Sequence, residues 1–255
     1  MKKHLLSIVT LLVFSMLFAA SQTAKQASSK VVREAAKFDF APPSREKANS
    51  TGITIALIRP HFVKDNPEYL VPPFNEMASS MSNDFEELLS AKGFNIRGPF
   101  GSRDEMVYND KKNSNIAFEI NIDLIPQVRR KNSTVTNYAA LVDKTAHDYS
   151  KMSGEITLAG NLVMTVTAPQ YGEKIWKKNI ALQSTTFNYQ GSMVWVTEPS
   201  LADELQQDNA VYNTISREIE NIYNQALQLA WQQIDSEEMK GVADEAKKAD
   251  NKKVY

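Results

Sequence analysis

The sequence predicts an α/β fold of the α+β kind: a mixed five-stranded sheet that ends in a three-strand meander, packed by two amphipathic helices. Three observations predict it. Ile53 to Ile58 is β-branched and apolar on both faces, as in a strand covered on both sides. Two longer segments repeat apolar residues at three- and four-residue intervals, giving stripes wide enough to cover a sheet. Between and after them, apolar and polar residues alternate at period two, the pattern of half-buried strands. The composition agrees, since 42% of the 255 residues are hydrophobic and 23% charged, too apolar for a disordered chain.

The N-terminus reads as a secretory signal peptide over 1–21. Lys2, Lys3 and His4 precede an apolar run from Leu5 to Phe18 that is shorter than the ~20 residues a spanning helix needs, and Ala19-Ala20-Ser21 is a small-residue exit. Phe18-Ala19-Ala20-Ser21 also resembles a lipoprotein cleavage box with serine in the position of the lipidated cysteine. The chain contains no cysteine, so no thiol-linked lipid, disulfide, thiolate metal site or cysteine nucleophile is expected. Residues 22–50, rich in Lys, Ala, Ser and Gln, read as a flexible arm. A single domain is expected over 51–234, and 235–255 reads as a charged tail, a frayed helical extension or disorder.

Within the domain, Arg59-Pro60 ends the first strand. Phe74, Met77, Ala78, Met81, Phe85, Leu88 and Leu89 then form the first helical stripe, stopped by Gly93. Phe94 to Arg97 is a short strand, Gly98-Pro99-Phe100-Gly101 a turn, and Ser102 to Lys112 a polar helix. The first meander strand alternates Ile116, Phe118, Ile120, Ile122 and Leu124 with polar neighbours, and Pro126 is expected to end it. An insertion over 127–153 separates it from a strand through Ile156, Leu158, Leu162, Met164 and Val166, which turns back as Ile175 to Gln183. Ser184 to Glu198 reads as a loop. Ser200 and Asp203 form a capping box for one long helix carrying Leu205, Tyr212, Ile215, Ile219, Ile222 and Ala226 on its stripe.

The chemistry-bearing residues exclude more than they assign. A hydrolytic metal site wants clustered histidines, whereas His61 and His147 stand far apart, and no Gly-x-Ser-x-Gly elbow or phosphate-cradling glycine loop occurs. No cofactor, no metal and no catalytic group is therefore expected. A formal net charge of −1 gives no global field to draw nucleic acid or an anionic membrane, so such contacts would need a local patch. The one dense basic cluster is Arg129-Arg130-Lys131, expected to be exposed in the insertion and the candidate ligand-binding site for a carboxylate or phosphate. A solvated strand edge guarded by charge is the competing reading. Trp195, near Tyr189 in the expected loop, is either a sugar platform or part of the core.

The strand Ile55 to Ile58 running into Arg59-Pro60-His61-Phe62, the helix ending Leu88-Leu89-Ser90-Ala91-Lys92-Gly93-Phe94, the alternating Ile116 to Leu124 strand, Arg129-Arg130-Lys131 and the Gly160 to Ala168 strand together carry a resemblance. Over about 53–234 the chain resembles the neuraminyllactose-binding haemagglutinin family, the flagellar-sheath adhesin lipoproteins of Helicobacter. The resemblance implies an exported, non-enzymatic binding protein of the outer membrane or cell surface, adhesin-like, that recognises sialylated glycans. The strand order is also similar to periplasmic domains of outer-membrane assembly lipoproteins, which implies instead a structural module that binds another envelope protein. Peripheral membrane association and oligomeric state stay open at this point.

Overall fold

The computed structural model describes residues 31–135 and 149–252. The expected signal segment lies outside them, as do Tyr138, Val142 and His147 of the expected insertion. The residues from Arg33 onward form one unit. Strand β1 (Thr54–Ile58) leads through a two-residue strand, β2 (His61–Phe62), and a 3-10 turn (Pro67–Leu70) into helix α1 (Phe74–Ala91). Then come β3 (Asn95–Phe100), the short α2 (Tyr108–Lys112), β4 (Ile116–Arg130), β5 (Ser133–Val135), β6 (Tyr149–Thr167) and β7 (Lys174–Trp195). Three helices close the chain: α3 (Leu201–Gln207), α4 (Asn209–Gln233) and α5 (Ser236–Lys252).

The sheet is mixed, as its two halves require. The α1 crossover returns β3 parallel to β1, and β4 pairs parallel on β1's other side. From β4 onward, hairpin-type pairing gives antiparallel β4–β6 and β6–β7 ladders. β5 prolongs β4's line along β6, with Ser133 opposite Lys151 as Arg130 is opposite Gly154. Alternation sends Phe118, Ile120, Ile122 and Leu124 of β4 to one face, where they are buried with Met77, Met81, Phe85 and Leu88 of α1 and Ile215, Ile219 and Ile222 of α4. The opposite face is covered only locally, where Phe100 and Met106 pack on Ala56, Ile58 and Ala117. β1 is therefore apolar on both sides because both sides are covered. Gly93, at φ +84°, supplies the left-handed turn that lets α1 end and β3 begin.

The mixed sheet stands, but two short strands, β2 and β5, bring it to seven where five are expected, and Gly98-Pro99-Phe100, expected as a turn, lies in β3. Other expectations change as well. Pro126 does not end its strand, and β4 runs on to Arg130 with Pro126 opposite Leu158. The reason is directional. The carbonyls of Ile122 and Leu124 point away from β6, towards Val63 N–H and the Tyr69 hydroxyl. Two residues on, the nitrogen of Pro126 points the same way, to an edge where no strand asks for a donor. The loop expected over Ser184 to Glu198 is strand as far as Trp195, its Thr- and Asn-rich alternation paired along β6. The single long helix is divided at Asp208, which is extended and fully buried. Its carboxylate accepts from Ala210 N–H at 3.0 Å, capping α4, and from Ser192 and Met193 N–H at 2.7 and 2.8 Å, fastening β7. The charged tail carries a stripe after all: Met239, Val242, Ala243, Ala246 and Ala249 of α5 are buried, small residues whose periodicity the surrounding charges obscure.

The segment 33–50 forms no helix or strand, yet it is fastened to the helices. Phe40 is buried and its N–H donates to Asp84 Oδ2 at 2.8 Å, the same oxygen that accepts from the Tyr223 hydroxyl. Glu46 N–H donates to the Ala91 carbonyl, and Arg45 pairs with Glu87. Burial raises the pKa of Asp84, and the Tyr223 and Phe40 hydrogen bonds oppose that rise. Burial and the bond to Asp84 push the Tyr223 phenol up.

Two outcomes test this packing. Ile219, fully buried in the middle of the α4 stripe, should lose about 2–5 kcal/mol of stability on Ile219→Ala; an unchanged denaturation midpoint would remove α4 from the core. Tyr223→Phe deletes the bond that favours the charged carboxylate, so the Asp84 pKa should rise further in a carboxyl NMR titration. Both proteins carry neutral Asp84 at low pH, so the variant's stability deficit should grow as pH climbs through the folded-state pKa.

Candidate functional site at the carboxyl end of the parallel strands

The connections from β1 and β3 leave the sheet on opposite faces. The chain from β1 turns into α1 on the core face, whereas the chain from β3 crosses the other face before entering β4. In an open sheet the carboxyl ends of strands at such a divergence leave a crevice that no connection fills. Here the crevice surrounds Arg59-Pro60-His61-Phe62. Pro60 ends β1, and β2 then touches β4 only at Asn121 and Ile122.

Three depressions meet at this point. The largest, about 530 Å³, lies between β2, the 3-10 turn and α1, with Pro60, His61, Phe62, Tyr69, Leu70 and Ala78 among its lining residues. Its floor is aromatic: Phe62 stacks on Tyr69 with centroids 4.2 Å apart, and Phe74 meets both edge-on. The Tyr69 hydroxyl reaches the Leu124 carbonyl, so the floor is tied to β4. Burial raises the Tyr69 pKa, with Glu68 and Asp123 adding to it and the Asn66 hydrogen bond opposing, which keeps this phenol a donor. The rim is polar, made by Lys64, Asp65, Asn66 and Asn75. Leu70 stands 80% exposed at the edge of the groove and Val63 is exposed on the same connection. A second depression of about 340 Å³ joins Arg59 and Pro60 to Ser79, Ser82 and Asn83 of α1. A third, about 330 Å³, opens on the far face between His61, Ser102, Arg103, Asp104, Glu119 and Thr167.

His61 separates the groove from this third depression. Its Nδ1 is 3.4 Å from the Arg59 carbonyl and its Nε2 is 4.0 Å from Glu119 Oε1. That separation allows charge attraction and exceeds hydrogen-bond reach for proton transfer. Arg103 is occupied by the carbonyls of Pro169 and Gln170 and by Asp104. Ser102 Oγ accepts from Glu105 N–H. Among the described residues, no three His, Asp or Glu side chains gather as a metal site.

The basic cluster lies elsewhere and does not converge. Strand alternation divides it. Arg129, 85% exposed, points to the outer face 4.0 Å from Glu155, and Lys131 is exposed beyond the end of β4 with its N–H bonded to the Ser153 carbonyl. Arg130 turns to the core face. It is 22% exposed, bonded to Glu204 Oε2 at 2.8 Å and to Glu198 Oε1 at 3.1 Å. Burial opposes its charge, but the Glu204 bond and charge outweigh it and hold the guanidinium's pKa up. Burial raises the Glu204 pKa, Arg130 opposes that, and Asp208 and Glu198 add to it. The expectation of three exposed cations therefore fails at Arg130, whose place at the end of an even-numbered core series is visible once Pro126 is read through. Trp195 packs partly buried against the core. The aromatic groove was not signalled by spacing, because Phe62, Tyr69 and Phe74 come from three different elements; only Arg59-Pro60 followed by His61-Phe62 pointed to the place.

No protein-family model matches the chain, and no curated protein is similar to it in sequence. Among solved structures it is similar to a protein from Helicobacter pylori described as a neuraminyllactose-binding haemagglutinin homologue, with a TM-score of 0.58 and 10% identity over 84% of this chain and all of that one. A minor lipoprotein from Acinetobacter baumannii matches at a TM-score of 0.26 and 12% identity, over 73% of this chain and 94% of its own. A Neisseria meningitidis lipoprotein matches at 0.24 and 12%, over 65% and 99%. The resemblance read from the sequence holds as a likeness of fold to the first of these.

The division of the basic cluster has a measurable consequence. Arg130→Ala strands the fully buried Glu204 carboxylate and should cost about 3 kcal/mol, the low end for breaking a buried pair because Arg130 keeps some exposure. Arg129→Ala should change stability by less than about 0.5 kcal/mol. Equal effects in chemical denaturation would contradict the placement.

Proposed function

We propose that this is an exported, envelope-associated binding protein of adhesin-like type, and that it engages a sialylated glycan in the groove beside His61 and Phe62. The observation that carries the reading is the groove itself: an open cavity of about 530 Å³ at the carboxyl end of the parallel strands, with an apolar floor and a polar rim. Lys64 supplies a cation for a carboxylate, Asn66 and Asn75 supply amide donors for hydroxyls, and Phe62, Leu70 and Ala78 offer apolar surface to a sugar ring. The fold likeness to the H. pylori protein supports this choice of ligand. A binding role fits this groove, since the carboxylate facing the His61 ring, Glu119, stands at 4.0 Å, beyond hydrogen-bond reach. The signal-like sequence over 1–21 supports export; among the described residues no helix is long and apolar enough to cross a membrane.

A second reading, an assembly module that binds another envelope protein, is favoured by Val63 and Leu70, which leave apolar surface exposed at the groove. One titration separates the two. Adding 3′-sialyllactose to labelled protein should shift the amides of His61 to Ala78, and Leu70→Asp or Lys64→Ala should weaken binding at least tenfold. No shift at millimolar sugar, or shifts confined to Arg129 and Lys131, would overturn the groove as a glycan site. A stoichiometric envelope protein crosslinked at Leu70 would then support the second reading.

A further inference from the structure

β7 is the outer strand of the sheet, and among the described residues no strand pairs with its far edge. Its two halves are built differently. The first half carries Lys174, Lys177 and Lys178, the usual guard against edge-to-edge pairing. From Ser184 to Thr197 no residue is charged. Side chains of α4 and of its N-cap satisfy this edge at two places. Gln225 Oε1 accepts from Gln183 N–H at 3.1 Å, where the carbonyl of an added strand would sit, and Asp208 takes Ser192 and Met193 N–H. Between them, among the described residues, no side chain takes up the outward backbone of Thr186, Asn188 and Gln190, and these three residues are exposed. A groove of about 290 Å³ runs here between Gln183, Ser184 and Thr185 of β7 and Glu218, Asn221 and Gln225 of α4.

We propose that this edge is an interface between two copies of the chain, β7 pairing antiparallel with β7 across a two-fold axis near Phe187. Unpaired backbone donors and acceptors call for another extended strand, and charge selects which one. A pairing centred on Phe187 lays the uncharged stretches on each other, so no like charges meet. It carries Lys177 and Lys178 of each copy past the other's strand end, beside its exposed Glu198. Lys178 already pairs with Glu238 of its own copy, whereas Lys177 gains an opposite charge in this arrangement and loses it in a shifted register. The partner is a second copy, and extended segments of other proteins are competitors for the same edge.

Sedimentation of the full chain across micromolar to sub-millimolar concentrations tests this. The native chain should sediment with doubled mass at the upper end, and the amides of Thr186, Asn188 and Gln190, which alternation turns away from β6, should gain hydrogen-exchange protection as concentration rises. Asn188→Lys lies exposed opposite Glu155 in the same copy, so the fold accepts it. It should shift the chain to monomer without moving the thermal midpoint measured at dilution. Asn188→Glu, which faces Glu155 of its own copy, should also shift the chain to monomer but with a lower thermal midpoint, and mixing the two variants should restore the doubled mass. A native chain that stays monomeric, or a dimer indifferent to both substitutions and without protection at Thr186, Asn188 and Gln190, overturns the proposal. A monomer would leave the edge to an extended segment of some other protein.

Discussion

The structure depends on the period-two alternation of β4, because a single strand allocates side chains to the core and the outer face and backbone groups to both edges at once. Even-numbered residues from Ile116 to Leu124 bury their side chains under α1 and α4, and Glu119, Asn121 and Asp123 take the half-exposed outer face. The same parity in the plane of the sheet turns the carbonyls of Ile122 and Leu124 towards β2 and Tyr69, which holds the aromatic floor of the groove to the sheet. A one-residue slip would exchange all of these assignments together. The register is fixed by close approach: a Cβ at Gly160 would collide with the Asp123 carbonyl, and one at Gly154 with the Arg129 carbonyl. Only glycine fits at both rungs of β6.

Much of this was legible in the sequence. The doubly apolar Ile53 to Ile58, the α1 and α4 stripes and the alternation after Ile116 each state a local period, and period is what packing reads. Ser200 and Asp203 cap α3 reciprocally, as their spacing predicts. What stayed hidden depended on partners distant in sequence. Pro126 looked like a terminator because the direction of its nitrogen is set by β2 and Tyr69. Asp208 looked like one more polar residue on a helix because the amides it serves belong to Ser192 and Met193. Phe40 gave no sign of burial, since Asp84 and Tyr223, which create its site, lie far along the chain.

The groove and the basic cluster show the same division. Arg59-Pro60-His61-Phe62 marks the end of β1 in any reading, so the place was visible, but the stacking of Phe62 on Tyr69 requires the 3-10 turn to fold back over β2. Consecutive cations in a sequence look like one patch. On a strand they are two surfaces, and Arg130 spends its charge on Glu204.

The strap from Arg33 to Ser50 has a mechanical consequence. Tension arriving from upstream meets Lys37 N–H on Glu220, Phe40 on Asp84 and Glu46 on Ala91 before it meets any strand of the sheet. The strap is held by isolated anchors on three helices, so it peels away one contact at a time, whereas β1 is clamped between two parallel neighbours and must shear. Pulling from the N-terminal side would therefore lengthen the molecule by the reach of the strap, about 3.3–3.6 Å per residue freed, with the sheet and its groove still intact.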